Sequence, residues 1–473
     1  MRTTSLVFVL LVVASVRAQW TAIKLSDSGV TLGVGAGVQV GATYQVNHAL
    51  IWQGSPQSGV DIHPAGYASS IAYGVDNGFQ GGSAVLNGFN HAGLWNGTSA
   101  SWTDLHPTHA DGSEIVSLQN GWGVGNISFG NIRHAYAWHG TTTQIDLHPK
   151  NASSSIAMAT HGGLHGGAVT VDGVTMACIF DTDPKNLTIL NPTGAISSAV
   201  RAVHGDYQGG AVSLVPGLYR ASLWYGTAES WVDLHPGPPN LSSHVNGAWD
   251  GIQVGRLGRD AAVWNHSASS FENLGEFLPI SYDASEAFSV VRDGDTVVVG
   301  GRASQPLHLG SPFQAYIWVT RYESPEAFFL FRGVALAGGL TELAESDNLR
   351  LVVRPGIVFS TGEPPVQLVV EGTSIVAVPN SLGFTVESSV SFGGGTQTIQ
   401  LFNFDTDSYE TVDSRSTTTV DSTTNVSLRT FPERFVQEGT QKMRAKIMVK
   451  ANGPVFAYPW QARIDLARFR LPG

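Results

Sequence analysis

From Trp20 to about Trp318 the chain is built of short runs in which apolar and polar residues alternate, interrupted every few residues by Gly, Asn, Asp, Ser or Thr. No apolar set recurs with the 3.6-residue period of a helix face, so the pattern predicts strands joined by tight turns. One stretch shows the unit. Ser69–Val75 reads as a strand of small residues and Phe79–Val85 as a second, entered through the turn Asp76-Asn77-Gly78. His91–Trp95 makes a third, Asn96-Gly97 turns the chain, and Trp102–Leu105 makes a fourth. It is closed by His106-Pro107, because proline removes a ladder donor.

The unit repeats. The phrase His-Ala-x-x-Trp, a short turn, then Asp-(Leu/Ile)-His-Pro stands at Trp52, Trp95, Trp138 and Trp224, and degrades around Phe180, Trp264 and Trp318. The successive spacings are 43, 43, 42, 44, 40 and 54 residues. A period of about 40 to 50 residues made only of strands and turns is the span of one four-stranded propeller blade. The expected fold class is therefore all-β, a seven-bladed β-propeller. Trp20–Leu25 resembles a fourth strand that has lost its third, and is expected to pair with the strand around Trp318 and close the ring, removing an open sheet edge.

After Trp318 the phrase disappears. Residues 319 to about 332 read as a transition, and beyond Gly333 alternating runs at Arg350–Val353, Val366–Val370, Thr398–Phe402 and Met443–Val449 predict a two-sheet, jelly-roll-like β-sandwich. Ahead of the repeats, Arg2, the apolar run Leu6–Ala14 and Val16-Arg17-Ala18 form a secretory leader, too short to span a membrane. The expected division is leader 1–18, propeller 19–330 and sandwich 331–473, in a secreted protein, free or attached to a cell surface.

Charge narrows the partners. Charged residues make up 13% of the 473-residue chain and the net charge is −11, which gives a phosphate backbone nothing to bind and makes nucleic acid an unlikely partner. The one cysteine, Cys178, lies in the apolar run Met176–Phe180 and reads as a small buried hydrophobe.

The repeated pairs Asp61/His63, Asp104/His106, Asp146/His148 and Asp233/His235 have the chemistry of metal ligands or acid/base groups. Equivalent residues on adjacent blades would, however, stand on the order of 18 Å apart, given strand spacings of about 4.8 Å, whereas zinc ligands must each come within about 2.1 Å. Each pair is expected to cap its own turn, and His48, His91 and His134 to serve the framework too. The candidate binding residues are the less regular ones. Phe79, Trp122, Leu164, Tyr207 and Trp249 read as one aligned position at the start of the second strand, either inter-blade packing or a ring of aromatics for sugar stacking. His161, His165 and His204, in glycine-rich segments of adjacent blades, could share a site.

Asp293-Gly294-Asp295 and Asp405-Thr406-Asp407 lack the further acids of a calcium loop and read as turns. Lys442, Arg444, Lys446 and Lys450 form a basic stripe along one strand face. No nucleophile elbow, metalloprotease helix or phosphate loop is present, so the sequence names no catalytic residue, leans against an enzyme, and leads to no expected metal or cofactor.

Ala72–Gly82 and His91-Ala92-Gly93-Leu94-Trp95 resemble the HAF-repeat group of bacterial extracellular propellers, and the Gly-Gly pairs at 81, 166, 209 and 300 more loosely resemble kelch blades. The resemblance implies a propeller and secretion but no reaction, and the His-Pro after each Asp-Leu departs from that group's glycines. Gln400–Asn403, Tyr409–Val412, Phe435–Val449 and Ile464–Phe469 resemble the last half of a galactose-binding-like jelly roll, which implies an accessory module that binds carbohydrate or docks a protein. The expected function is a secreted, non-catalytic binding or surface-associated protein with an extracellular polysaccharide or surface protein as partner. A glycoside hydrolase or lyase, and a structural or filament subunit, are the alternatives.

Overall fold

The computed structural model describes residues 20–183, 186–279, 282–305, 313–346, 348–379, 381–428, 430–455 and 459–472; the expected leader lies outside the described residues. The fold is all-β. Six four-stranded antiparallel sheets follow one another along the chain, each taking its strands in sequence order: sheet 1 over residues 29–61, sheet 2 over 70–104, sheet 3 over 112–146, sheet 4 over 154–189, sheet 5 over 197–233 and sheet 6 over 243–273. In sheet 2 the strands are Ser70–Asp76, Phe79–Leu86, Phe89–Trp95 and Thr103–Asp104, within a residue or two of the sequence reading. Sheet 7 consists of Ala284–Asp293, Thr296–Ser304 and Gln314–Glu323, and its outer neighbour is Thr21–Ser26. Thr21 pairs with Val319 and Ala22 with Trp318, so the start of the described chain covers the edge of sheet 7 as the sequence predicts.

Two local features recur in all seven sheets. The first strand carries a bulge, one residue more than its partner, at Leu32, Tyr73, Val116, Met158, Arg201, Asn246 and Phe288. All seven bulge residues line one central cavity of about 410 Å³. Beside each bulge the second strand has a glycine (Gly41, Gly82, Gly125, Gly167, Gly210, Gly255, Gly301) where a Cβ would sit 1.8 to 2.2 Å from a first-strand carbonyl oxygen. That contact explains why glycine, and no larger residue, recurs there. The anchors Trp52, Trp95, Trp138, Trp224, Trp264 and Trp318 are at most 1% exposed and fill the space between neighbouring sheets. Cys178 is fully buried in the same packing, and burial pushes its thiol well above the ordinary range.

The remaining chain forms a second core. A five-stranded sheet in the order Ala327–Arg332, Val366–Thr373, Lys442–Ala451, Gly395–Asn403, Ser408–Ser416 shares that core with Leu351–Arg354, Leu382–Val390, Ser422–Leu428 and Ala462–Pro472, and the exposed strand Val334–Ala337 pairs with Leu351–Arg354. The segment read as a transition thus supplies an edge strand, Ala327–Arg332. The last strand also pairs with sheet 7, Glu323 opposite Phe469 and Thr320 opposite Pro472, so one nine-stranded curled sheet runs through both cores. At the seam the fully buried guanidinium of Arg470 meets Glu272 of sheet 6 through Nη1 and Nη2, both 3.0 Å from Oε1, and Trp20 Nε1 donates to Oε2 of the same carboxylate at 3.1 Å.

Candidate functional site

The repeated acids and histidines are engaged inside the framework. In sheets 1, 2, 3 and 5, Oδ1 of Asp61, Asp104, Asp146 and Asp233 accepts from the backbone N–H of the histidine two residues on, at 2.8 to 2.9 Å. The other oxygen bonds His48, His91 or His134 Nδ1, or Arg220 Nε, on the third strand, at 2.7 to 2.9 Å. The Asp thus caps its own turn, but the His reaches further: His63, His106, His148 and His235 place Nδ1 2.8 Å from a serine on the next sheet's first strand, Ser70, Ser113, Ser155 and Ser243. That serine also accepts the N–H of Ala49, Ala92, Ala135 or Ala221. Its proton therefore goes to Nδ1, which leaves Nε2–H to donate to Tyr67, Ala152 or Pro238 carbonyls in three of the four.

Three of these histidines are held neutral. His63, His106 and His148 stack on His48, His91 and His134 at 3.7 to 4.1 Å, and burial first, then the neighbouring imidazole, pushes them below the ordinary histidine range. In sheet 4 Asn191 takes the histidine's place against Ser198, at 2.6 Å. The serine seven or eight residues downstream was the partner that sequence reasoning missed; its fixed spacing from each His-Pro was the available signal.

The candidate aromatics are divided by their surroundings. Phe79 pairs with Asp76, Trp122 with Gln119, Leu164 with His161 and Tyr207 with His204 at the start of their second strands. Trp249 does not share that slot. It ends the first strand of sheet 6, Ser243–Trp249, and Ile252 holds the aligned position, because the turn Asp250-Gly251 falls three residues later than the sequence reading placed it. Phe79 is 46% exposed, Trp122 packs on His139 and His165, and Tyr207 is 5% exposed with its hydroxyl accepting from Gly251 N.

Of the three glycine-segment histidines, two meet: His161 and His204 lie 4.5 Å apart between ring centres, and His204 lies 4.8 Å from Trp249, linking sheets 4, 5 and 6 along one rim. His165 is separate, fully buried and bonded through Nδ1 to Thr160 at 2.9 Å. Desolvation lowers His165 and His204 to about 4. Among the described residues no group of three or more His, Cys, Asp or Glu is arranged to hold a metal ion. Asp293–Asp295 and Asp405–Asp407 lie in strand-connecting turns.

A different surface has the chemistry of a binding face. On the outer side of the five-stranded sheet Lys446 Nζ lies 3.5 Å from the Tyr409 ring centre and 5.7 Å from Phe331, while Arg444 lies over Phe402 at 5.1 Å. Phe329 and Phe331 are 45% and 53% exposed. Beside them stand Gln400, bonded to Thr411, and Thr398 with Ser414. Of the other stripe cations, Lys442 pairs with Glu326 and Arg444 with Glu371, while Lys450 Nζ donates to the Gly362 carbonyl at 3.4 Å. Burial, then repulsion from Arg444, holds Lys446 below the usual lysine range. The sequence showed the basic stripe but not that aromatic residues from the neighbouring strands flank it.

No family model and no curated protein matches the chain. Among solved structures, the chain is similar to a family 29 carbohydrate binding module at 12% identity, over 32% of this chain and 88% of that one, with a TM-score of 0.21. A nidogen/laminin complex matches at 10% identity over 59% and 96%, with a TM-score of 0.31. The extracellular domain of a putative one component system from B. thetaiotaomicron matches at 8% over 74% and 45%, with a TM-score of 0.40.

Proposed function

We propose that the protein is a secreted, non-catalytic glycan-binding protein in which seven sheets form a propeller of HAF-repeat-like blades and the second core is a β-sandwich carrying the binding face. The ring reading is supported by seven first strands around one cavity and by the covered edge of sheet 7. The binding reading is carried by one observation, the exposed Phe331 and half-buried Tyr409 flanking Lys446, beside Gln400 and Thr411. A sugar offers an apolar C–H face and a rim of hydroxyls. Aromatic rings take the first, and amide, hydroxyl and ammonium groups take the second. The test is a glycan array probed with the secreted chain and with Phe331→Ala and Tyr409→Ala. Retention of at least one polysaccharide by the wild type and loss by both variants, with unchanged Tm, is expected; no retention of any glycan by the wild type refutes the reading.

A second reading, a glycoside hydrolase, has one observation in its favour. In a cleft lined by Trp249, Asp250, Arg292, Asp295 and Glu345, the carboxylates of Asp250 and Glu345 both touch Arg292 Nη1, a closeness compatible with the separation of about 5 Å used by retaining enzymes. One guanidinium engages both carboxylates, so neither stands free to face a substrate, and the binding reading is preferred. Release of reducing ends by the wild type, lost in Asp250→Asn and Glu345→Gln, would reverse that preference.

A further inference from the structure

We propose that the floor of the central cavity is a binding site for a small oxyanion, a carboxylate or sulfate group, received by Arg201 with Arg256 and Arg302 behind it. The position itself is informative. At the seven equivalent bulges, five residues are apolar or aromatic (Leu32, Tyr73, Val116, Met158, Phe288), so the ring does not require a charge there. Only sheets 5 and 6 depart from this, with Arg201 and Asn246, and the two are adjacent: Arg201 Nη1 donates to Asn246 Oδ1 at 3.1 Å. Where framework positions recur, a departure that brings in a cation at the axis calls for another reason.

The charges around Arg201 do not balance. One carboxylate, Glu286, serves the whole cluster: Arg302 Nη2 lies 2.9 Å from it, Asn246 Nδ2 3.4 Å and His244 Nε2 3.7 Å. Strand register places Arg256 opposite His244 and Arg302 opposite Glu286, on adjoining sheets. Three guanidiniums therefore face a single acid. His244 adds no charge, because burial lowers its proton affinity; Glu286 stays ionised, with His244 and Arg302 holding it at about 2 against the opposing effect of burial. Buried Nε atoms of Arg256 and Arg302 have no hydrogen-bond partner. Arg292, which lines the same cavity, shows the contrast, since two carboxylates, Asp250 and Glu345, engage it. Arg201 remains open to water inside the cavity, which Met158 and Phe288 also line. A guanidinium fork offers two parallel donors to a carboxylate or sulfate, so a small oxyanion fits the excess charge and the geometry together.

The test titrates the full secreted chain by calorimetry with sodium D-glucuronate, sodium sulfate, glucose and sodium chloride at matched ionic strength. Saturable binding of glucuronate or sulfate, without response to glucose or chloride, is expected; glucuronate alone assigns an acidic sugar, sulfate alone a sulfate group. Arg201→Met, an exposed position, is expected to weaken that affinity at least tenfold with Tm in chloride unchanged. Glu286→Gln, which removes the competing carboxylate, is expected to strengthen it. Equal responses to all salts, or unchanged affinity in Arg201→Met, overturn the proposal. Phe331→Ala leaves this binding intact, so it stands or falls separately from the glycan face.

Discussion

Replacing Arg470 by methionine tests how the second core is locked to the repeating sheets. The guanidinium is fully buried and its partner Glu272 has a side chain only 9% exposed, with both Nη atoms 3.0 Å from one carboxylate oxygen. Methionine fills most of the volume but leaves Glu272 with Trp20 Nε1 as its remaining side-chain hydrogen bond. Removing one member of a buried pair strands the other charge and costs about 3–5 kcal/mol, whereas replacing both with apolar groups of similar size is often neutral. Arg470→Met and Glu272→Leu should therefore each destabilise by about 3–5 kcal/mol. The double variant should recover most of that loss, short of about 1 kcal/mol for the Trp20 donor that loses its acceptor. The assay is guanidinium chloride unfolding followed by tryptophan fluorescence, read as midpoints because a two-core chain need not unfold in one step. Single effects below 1 kcal/mol, or a double variant equal to the sum of the two, would show that the pair does not carry the seam.

Further predictions concern the repeat and the pH response. Gly167→Ala puts a Cβ 1.9 Å from Ile156 O and should abolish soluble expression, whereas Gly173→Ala, with nothing within 4 Å but a φ of +80°, should lower stability by only about 1 kcal/mol. His106→Asn should cost under about 1 kcal/mol in thermal unfolding, since Asn191 fills that role in sheet 4, while His106→Leu should cost about 1–3 kcal/mol by leaving Ser113 without its partner. His63, His106, His148, His161, His165, His204, His244 and His266 all have lowered proton affinity in the fold. The unfolded chain then binds more protons, so stability is complete above pH 6.5 and is lost as pH falls toward 4. His165 alone, moved from 6.5 to about 4, accounts for about 3 kcal/mol by pH 4. A melting temperature flat between pH 7 and pH 4.5 would contradict it.

The repeating framework was legible because it is written in local chemistry. A proline that ends a strand and an aromatic anchor at a near-constant spacing mark most of the units, and Trp20–Leu25 without its third strand pointed to Trp318 nearly three hundred residues away. Contacts between sheets were less legible. The serine clamp depends on two residues in different sheets, Ser70 and His63 for instance, and neither strand pattern marks it. The bulge shifts side chains by one place, which hid Arg201 and Asn246 as cavity-lining residues, and the later turn of sheet 6 put Ile252, not Trp249, in the slot of Trp122. In the second core, Phe331 and Tyr409 lie far apart in sequence and meet Lys446 only because Lys442–Ala451 runs between their strands, two sheet positions from each.

The proposed division between recurrent side chains that hold the sheets together and solitary ones that bind a ligand is tested by one comparison. The His63→Asn/His106→Asn/His148→Asn triple variant and the Phe331→Ala/Tyr409→Ala double variant are titrated against the same polysaccharide, with Tm recorded for each. The triple variant should bind within twofold of the wild type at a lower Tm, and the double variant should lose binding at least tenfold at an unchanged Tm. Loss of binding in the histidine variant with Tm preserved would place the chemistry in the repeats and contradict this division of roles.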